Sequence, residues 1–345
     1  MIRHRLFWPA AVLVLLLLGN FVVSPAFFSI QVRDGHLYGS LIDILRFGAP
    51  LILVALGMTL VIATGGIDLS VGSVVAISAA IACSQLTTLA DQNSVGGTAR
   101  AVGIALVLSL ALGACNGLLV AVLRIQPIIA TLILMVAGRG LAQLITDGQV
   151  ITITGQLYKQ IGGGFAAMLP VSILIALVVY LLSLVLVRRS ALGMLLEAVG
   201  GNPEASRLAG VRSRRLIWLT YVFCGLCAGI AGLMISANVS SADGNAAGLW
   251  IELDAILAVV IGGTALTGGR FSFGGTVIGA LLIQTLSTTV YTVGIPPETT
   301  LLFKAVVVMA VCLLQSPAFR RKVIRRRRPK PVVRADHEDK VEVPA

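Results

Sequence analysis

Charge is scarce in this sequence. Only 12% of its 345 residues are Asp, Glu, Lys or Arg, where a soluble domain carries roughly 25%. So few charges cannot cover a water-facing surface, and the apolar surface must meet lipid. Histidine is scarcer still: His4, His36 and His337 are too scattered for a metal site. No Lys follows a Gly, so the phosphate-cradling loop G-x-x-x-x-G-K-[ST] is missing. H-E-x-x-H and G-x-S-x-G are missing too, and no nucleophile–base or metal constellation replaces them. Paired carboxylates are absent from the long apolar runs, whereas ion-coupled carriers place Asp, Glu or His relays there. These absences argue against a membrane enzyme and against a self-powered carrier. The five cysteines, Cys83, Cys115, Cys224, Cys227 and Cys312, all lie in apolar stretches. The C-x-x-C at Cys224 and Cys227 therefore reads as two small hydrophobes in a helix.

What is present is apolar length. Hydrophobic residues make up 57% of the chain, with a mean hydropathy of +0.97. Apolar runs occupy 8–28, 44–63, 69–89, 101–123, 127–145, 169–187, 216–237, 253–267, 274–292 and 300–315. At ~20 residues per span, these predict an all-α membrane protein, a polytopic bundle of about ten transmembrane helices. The first run, behind Arg3 and Arg5, is long for a signal peptide and reads as an uncleaved anchor. The eighth is short and ends in Gly262-Gly263, the pattern of a broken or re-entrant helix. Residues 1–318 form the transmembrane domain, with one large loop at 188–215, and 319–345 form a basic tail expected to be disordered.

The net charge of +11 is clustered. Arg124, Arg270, six arginines between Arg188 and Arg215 and the tail fall on the side of the N-terminus. Arg33, Arg46, Arg100 and Lys159 fall on the other. This asymmetry predicts both termini in the cytoplasm. The run Arg325 to Arg328 reads as an anchor for anionic membrane lipid, not as a nucleic-acid site.

Small and polar residues punctuate the spans. Gly113-x-x-x-Gly117, Gly225-x-x-x-Gly229 and Gly275-x-x-x-Gly279 are spaced for close helix crossing within one chain. A faint internal echo links Gly65, Gly66, Asp68 and Ser70 with Gly262, Gly263, Gly268, Gly269 and Arg270. Asn116, Gln126, Thr131, Arg139 and Gln143 must each find a partner in the bundle or line a wet path. They are the candidate translocation path for an uncharged, hydroxylated solute. In the 188–215 loop, Asn202 is placed to cap a helix beginning at Pro203, with Glu204 near the positive end of its dipole.

Four stretches carry a resemblance: GMTLVIATGGIDLSVGS (57–73), NGLLVAVLRIQPIIATLILMVAGRG (116–140), EAVGGNPEASRLAGV (197–211) and LDAILAVVIGGTALTGGRFSFGGTVIGALLI (253–283). In this order they resemble the ribose/galactose-type permeases of bacterial ABC importers, over roughly residues 40–315. Within that family, DGHLYGSLIDIL (34–45), LILMVAGRGLAQLIT (132–146) and AGLWIELDAILAVVIGG (247–263) look most like galactofuranose permease subunits. Two departures are the longer basic tail and a Gly-rich loop at 146–168. The resemblance implies an inner-membrane permease subunit that imports a monosaccharide by alternating access. It also implies a second permease subunit, a cytoplasmic ABC ATPase and a periplasmic sugar-binding protein as partners. No cofactor is expected on this chain, since ATP is used by the ATPase. The resemblance assigns the ATPase-coupling role to Glu197, Ala198, Val199, Gly200, Asn202, Ala205, Ala209 and Gly210.

Overall fold

A computed structural model describes residues 2–166, 168–294, 296 and 299–315, and the basic tail 319–345 lies outside these residues. The described residues form α1 (Ile2–Val23), α2 (Ser40–Ala63), α3 (Val71–Thr87), α4 (Val95–Ala121), α5 (Pro127–Ile145), α6 (Gln156–Gly163), α7 (Val171–Arg189), α8 (Leu192–Gly201), α9 (Pro203–Leu208), α10 (Ser213–Val239), α11 (Ile251–Ile261), α12 (Phe273–Val293) and α13 (Thr300–Gln315). Apart from α6, α8 and α9, each helix coincides with one of the apolar runs. Among the described residues, sheet is confined to short antiparallel pairs: β1 (Gln31–Arg33) with β2 (His36–Tyr38), β3 (Ile151–Thr152) with β6 (Ser241–Ala242), and β4 (Phe165–Ala166) with β5 (Leu169–Pro170).

The all-α, polytopic class holds, and a helix stands at each of the ten expected runs, though not all of them reach full span length among the described residues. Seven helices are long and apolar enough to cross a membrane: α1, α2, α4, α5, α7, α10 and α12. Helix α11 has 11 residues, short of the ~20 of a full span; α3 has 17 and α13 has 16 up to the last described residue. The eighth run also differs in extent from its expected 253–267. Its helix stops at Ile261, because Gly262 and Gly263 follow with Gly263 at φ 90°. An irregular stretch from Ser240 to Trp250 leads into it, with Ser240 and Trp250 themselves in the left-handed region at φ 57° and 66°. The broken character read from the sequence is present; the break lies on both sides of α11.

Helix α2 is the axis of the bundle. Every residue from Gly48 to Ala63 is buried, as befits a helix apolar all round. Helices α10, α11, α12 and one face of α7 surround it, and α1, α5 and the outer face of α7 stand at the rim with exposed Leu and Val side chains such as Leu15, Val136 and Leu182. In lipid, association depends on close packing and not on burial from water, and the glycine pairs supply that closeness. A Cβ on Gly113 would lie 2.6 Å from the Tyr221 carbonyl oxygen, and one on Gly225 2.6 Å from that of Ser109. The α4 and α10 glycine motifs therefore face each other. Gly275 and Gly279 pack in the same manner on Gly262 and Ala258 of α11. The intramolecular reading of all three motifs holds.

Candidate functional site

One end of the bundle carries the connections α4–α5, α7–α10 and α11–α12, and with them Arg124, Arg188, Arg189, Arg207, Arg212, Arg214, Arg215 and Arg270. At this basic end the large loop folds as two helices. Asn202 caps α9, its Oδ1 accepting from the Ala205 N–H at 2.9 Å, with Pro203 in the first turn. Glu204 pairs with Arg207 at 3.2 Å on the surface. Helix α8 presses its buried Leu196 and Val199 into the bundle. Its Gly200 lies so close to the last turn of α2 that a Cβ would collide with the Ala63 carbonyl and lie 2.6 Å from the Gly269 nitrogen.

Three glycine segments from distant parts of the sequence meet there. The Gly269 N–H donates to the Ala63 carbonyl at 2.8 Å. A Cβ on Gly268, at φ 86°, would lie 2.8 Å from the Gly200 carbonyl and 3.0 Å from the Gly65 nitrogen. The echo in the sequence is thus a contact: Gly65 and Gly268 face each other beneath α8. Gly66 packs on Tyr221. Arg270 is exposed beside the junction, whereas Gly262 and Gly263 lie at the end of α11. The outer face of the two helices is open. Met194 and Leu208 are 71% and 81% exposed, and Ala198, Asn202, Ala205, Ala209 and Gly210 are exposed around them, with Glu197 half-buried.

Just inside the junction, polar side chains knot the α2–α3 turn. The Ser70 N–H and hydroxyl both donate to Asp68 Oδ1, at 3.0 and 2.6 Å. Asn116 of α4 donates to Ser70 Oγ at 2.7 Å. Thr131 of α5 donates to the carbonyls of Pro127 and Ile67. Asp68, Ser70, Asn116 and Thr131 are all buried. Two of the candidate path residues, Asn116 and Thr131, therefore hold this turn. Gln126 is exposed at the start of α5 and joins neither group.

The other two candidates act on the irregular stretch before α11. Arg139 donates to the carbonyls of Gly244, Asn245 and Ala247, the last at 2.6 Å, and Gln143 donates to the Asn245 side chain. Gly248 packs on Gly72 and Val75 at the start of α3. The chain from Ser240 to Trp250 thereby runs inward from the β3–β6 end to the middle of the bundle. A cavity of about 220 Å³ lies there, lined among others by Phe47, Leu51, Ile235, Gly248, Asp254 and Gln284. Asp254 Oδ2 is 2.8 Å from Lys304 Nζ of α13. The sequence shows Asp254, Gln284 and Lys304 as polar residues in or near spans; that they come together depends on how α11, α12 and α13 pack, which no short pattern encodes.

A multi-pass helical bundle, with a broken helix packed against its central one and a two-helix element exposed at its basic end, is the architecture of a membrane transport subunit. The family model described as "Branched-chain amino acid transport system / permease component" matches residues 40–312, and the chain belongs to this family. It is 48% identical over 322 residues to the galactofuranose transporter permease protein YtfT of Escherichia coli K12, covering 92% of this chain and 93% of that protein. It is 40% identical to the fructose import permease protein FruF of Bifidobacterium longum, covering 92% and 89%. It is 36% identical to the ribose import permease protein RbsC of Escherichia coli K12, covering 89% and 92%. No solved structure matches the chain. The chain is a transport permease component, a multi-pass protein of the bacterial inner membrane.

Proposed function

We propose that this chain is the membrane-spanning subunit of an ATP-driven importer of a monosaccharide, with galactofuranose the leading candidate. The observation that carries the substrate is the 48% identity, over nine-tenths of both chains, to a galactofuranose permease. Fructose and ribose, named for the more distant relatives, are the alternatives to compare. The partners are a cytoplasmic ABC ATPase, a periplasmic sugar-binding protein and a second permease subunit, a sister chain in a heterodimer. The arginine asymmetry supports a cytoplasmic basic end with both termini on that side.

Helices α8 and α9 are the ATPase-coupling element, with Glu197, Ala198, Val199, Gly200, Asn202, Ala205, Ala209 and Gly210. Their exposed apolar side chains offer a docking face, and Gly200 joins them to the ends of α2 and α11. Force applied by a closing ATPase pair passes through this junction to the turn knotted by Asp68, Ser70 and Asn116. It passes also to the 263–269 segment that ends α11. Arg139 and Gln143 keep the irregular stretch in place as the path opens alternately to either side. Affinity for the sugar comes from the binding protein, so the path can bind it weakly.

The test is uptake of radiolabelled galactose, fructose and ribose into proteoliposomes holding this chain, its ATPase, its sister permease and its binding protein. Import that requires ATP and every partner is expected. Import by this chain alone, driven by an ion gradient, would overturn the proposal in favour of a secondary carrier.

A further inference from the structure

The geometry points to the mid-depth cavity as a sugar-contact site within this subunit, with the Asp254 carboxylate and the Gln284 amide as the groups that meet the sugar hydroxyls. The inference rests on the reading of the chain as a monosaccharide permease and adds the residues that touch the cargo.

Depth is the first argument. Leu51 lies midway along α2 (Ser40–Ala63) and Gln284 midway along α12 (Phe273–Val293), and both line the cavity. The cavity is therefore at the level of the hydrocarbon core. Non-helical backbone at that depth is tolerated only where protein buries it or where it lines water. The stretch leading into α11 is not fully buried: Leu249 and Trp250 are 52% and 48% exposed, and Asn245 and Ala246 are exposed as well. Phe47, on the opposite wall, is 47% exposed. An opening here onto acyl chains would leave peptide groups and a carboxylate facing hydrocarbon. This side of the bundle accordingly faces away from lipid, toward the second permease subunit and the aqueous path it would enclose.

Chemistry is the second argument. A carboxylate accepts hydrogen bonds from two neighbouring hydroxyls, and an amide both donates and accepts. Lys304 holds Asp254 at 2.8 Å through one oxygen, Oδ2, leaving Oδ1 to accept from the cargo. Gln284 makes no side-chain hydrogen bond among those found in the described residues. Phe47 supplies an apolar face against which the C–H side of a sugar ring can pack. Pro50, also on the wall, cannot donate to the Arg46 carbonyl one turn earlier. The pocket is small and its exposed lining is more polar than apolar, which suits a cargo covered in hydroxyls. Lys304 is a positioning residue: it fixes the carboxylate and does not line the cavity.

The experiment uses the assembled importer in proteoliposomes with radiolabelled galactose, fructose and ribose. Asp254→Asn and Gln284→Leu, compared in complexes that co-purify with all partners, should lower uptake about tenfold or more. Gln284→Leu should also change the ratio of the three sugars, which a purely structural loss would not do. Lys304→Met should reproduce the Asp254 loss, and Lys304→Arg should restore most of it. A separate measurement keeps the idea falsifiable if these variants do not assemble. Gln284→Cys, with the native cysteines replaced, should react with a water-soluble thiol reagent, and saturating galactose with the binding protein should slow that reaction. Import by the wild type with unchanged uptake and unchanged sugar ratios in the Asp254 and Gln284 variants would overturn the inference alone. A Gln284→Cys protein whose new thiol is inert, or reacts at a rate indifferent to sugar, would overturn it as well. A wild-type complex that imports none of the three sugars would overturn the functional reading and this inference with it.

Discussion

Asp68 is a carboxyl group buried among helices, 1% exposed, and its hydrogen bonds to Ser70 account for its tolerance there. Buried polar groups are costly when unpaired, so removing the acceptor is worse than weakening it. Asp68→Ala should strand the Ser70 N–H and hydroxyl and lower stability by about 1–3 kcal/mol. Asp68→Asn keeps an acceptor oxygen and should lose less. Thermal unfolding in detergent reads both, and an Asp68→Ala protein that melts with the wild type would dissolve the knot as a structural element. The sequence marked Asp68, Ser70 and Asn116 as notable but could not join them, since Asn116 lies on a different helix. The polar types within apolar runs were legible; their pairing was not.

At the scale of the element, glycine spacing decides what can touch. Gly113 and Gly103 lie on the same helix, but only Gly113 faces a neighbour; around Gly103 there is open space. Gly113→Val should push α4 from α10 and abolish recovery of monodisperse protein, while Gly103→Val should be recovered as the wild type is. Size-exclusion profiles of detergent extracts separate the two. Gly200 sits at a junction of three segments, so Gly200→Leu should leave the bundle inserted but detach α8 from the end of α2. ATP hydrolysis in the assembled complex should then no longer respond to sugar-loaded binding protein; a normal response would remove the case for coupling through this helix. Long helices were readable because apolar runs of span length have few alternatives. The approach to α11 was not, because SSADGNAAGLW is small and polar and reads as a surface loop. Contacts with α3 and α5, made through Gly248, Arg139 and Gln143, carry it into the interior.

The whole molecule has two chemically different ends, and orientation is a claim about them. A cysteine placed at Gln160, exposed on the outer side of α6, should react with a membrane-impermeant reagent in spheroplasts. One at Ala205, on exposed α9, should react only in inverted vesicles. The reverse pattern would invert the topology and move the coupling element away from the ATPase. The central place of α2 has a consequence for biosynthesis. It leaves the ribosome well before α10 and α12, which are among the helices that enclose it most closely. Its apolar surface must therefore stand in lipid, among temporary neighbours, while most of the protein is still being made. The stretch from Gly48 to Ala63, free of charge on every side, can wait in that solvent without harm, which a stripe of charge for its final partners would not permit. The blandness of α2 is thus suited to its place in the order of assembly as much as to its place in the finished bundle.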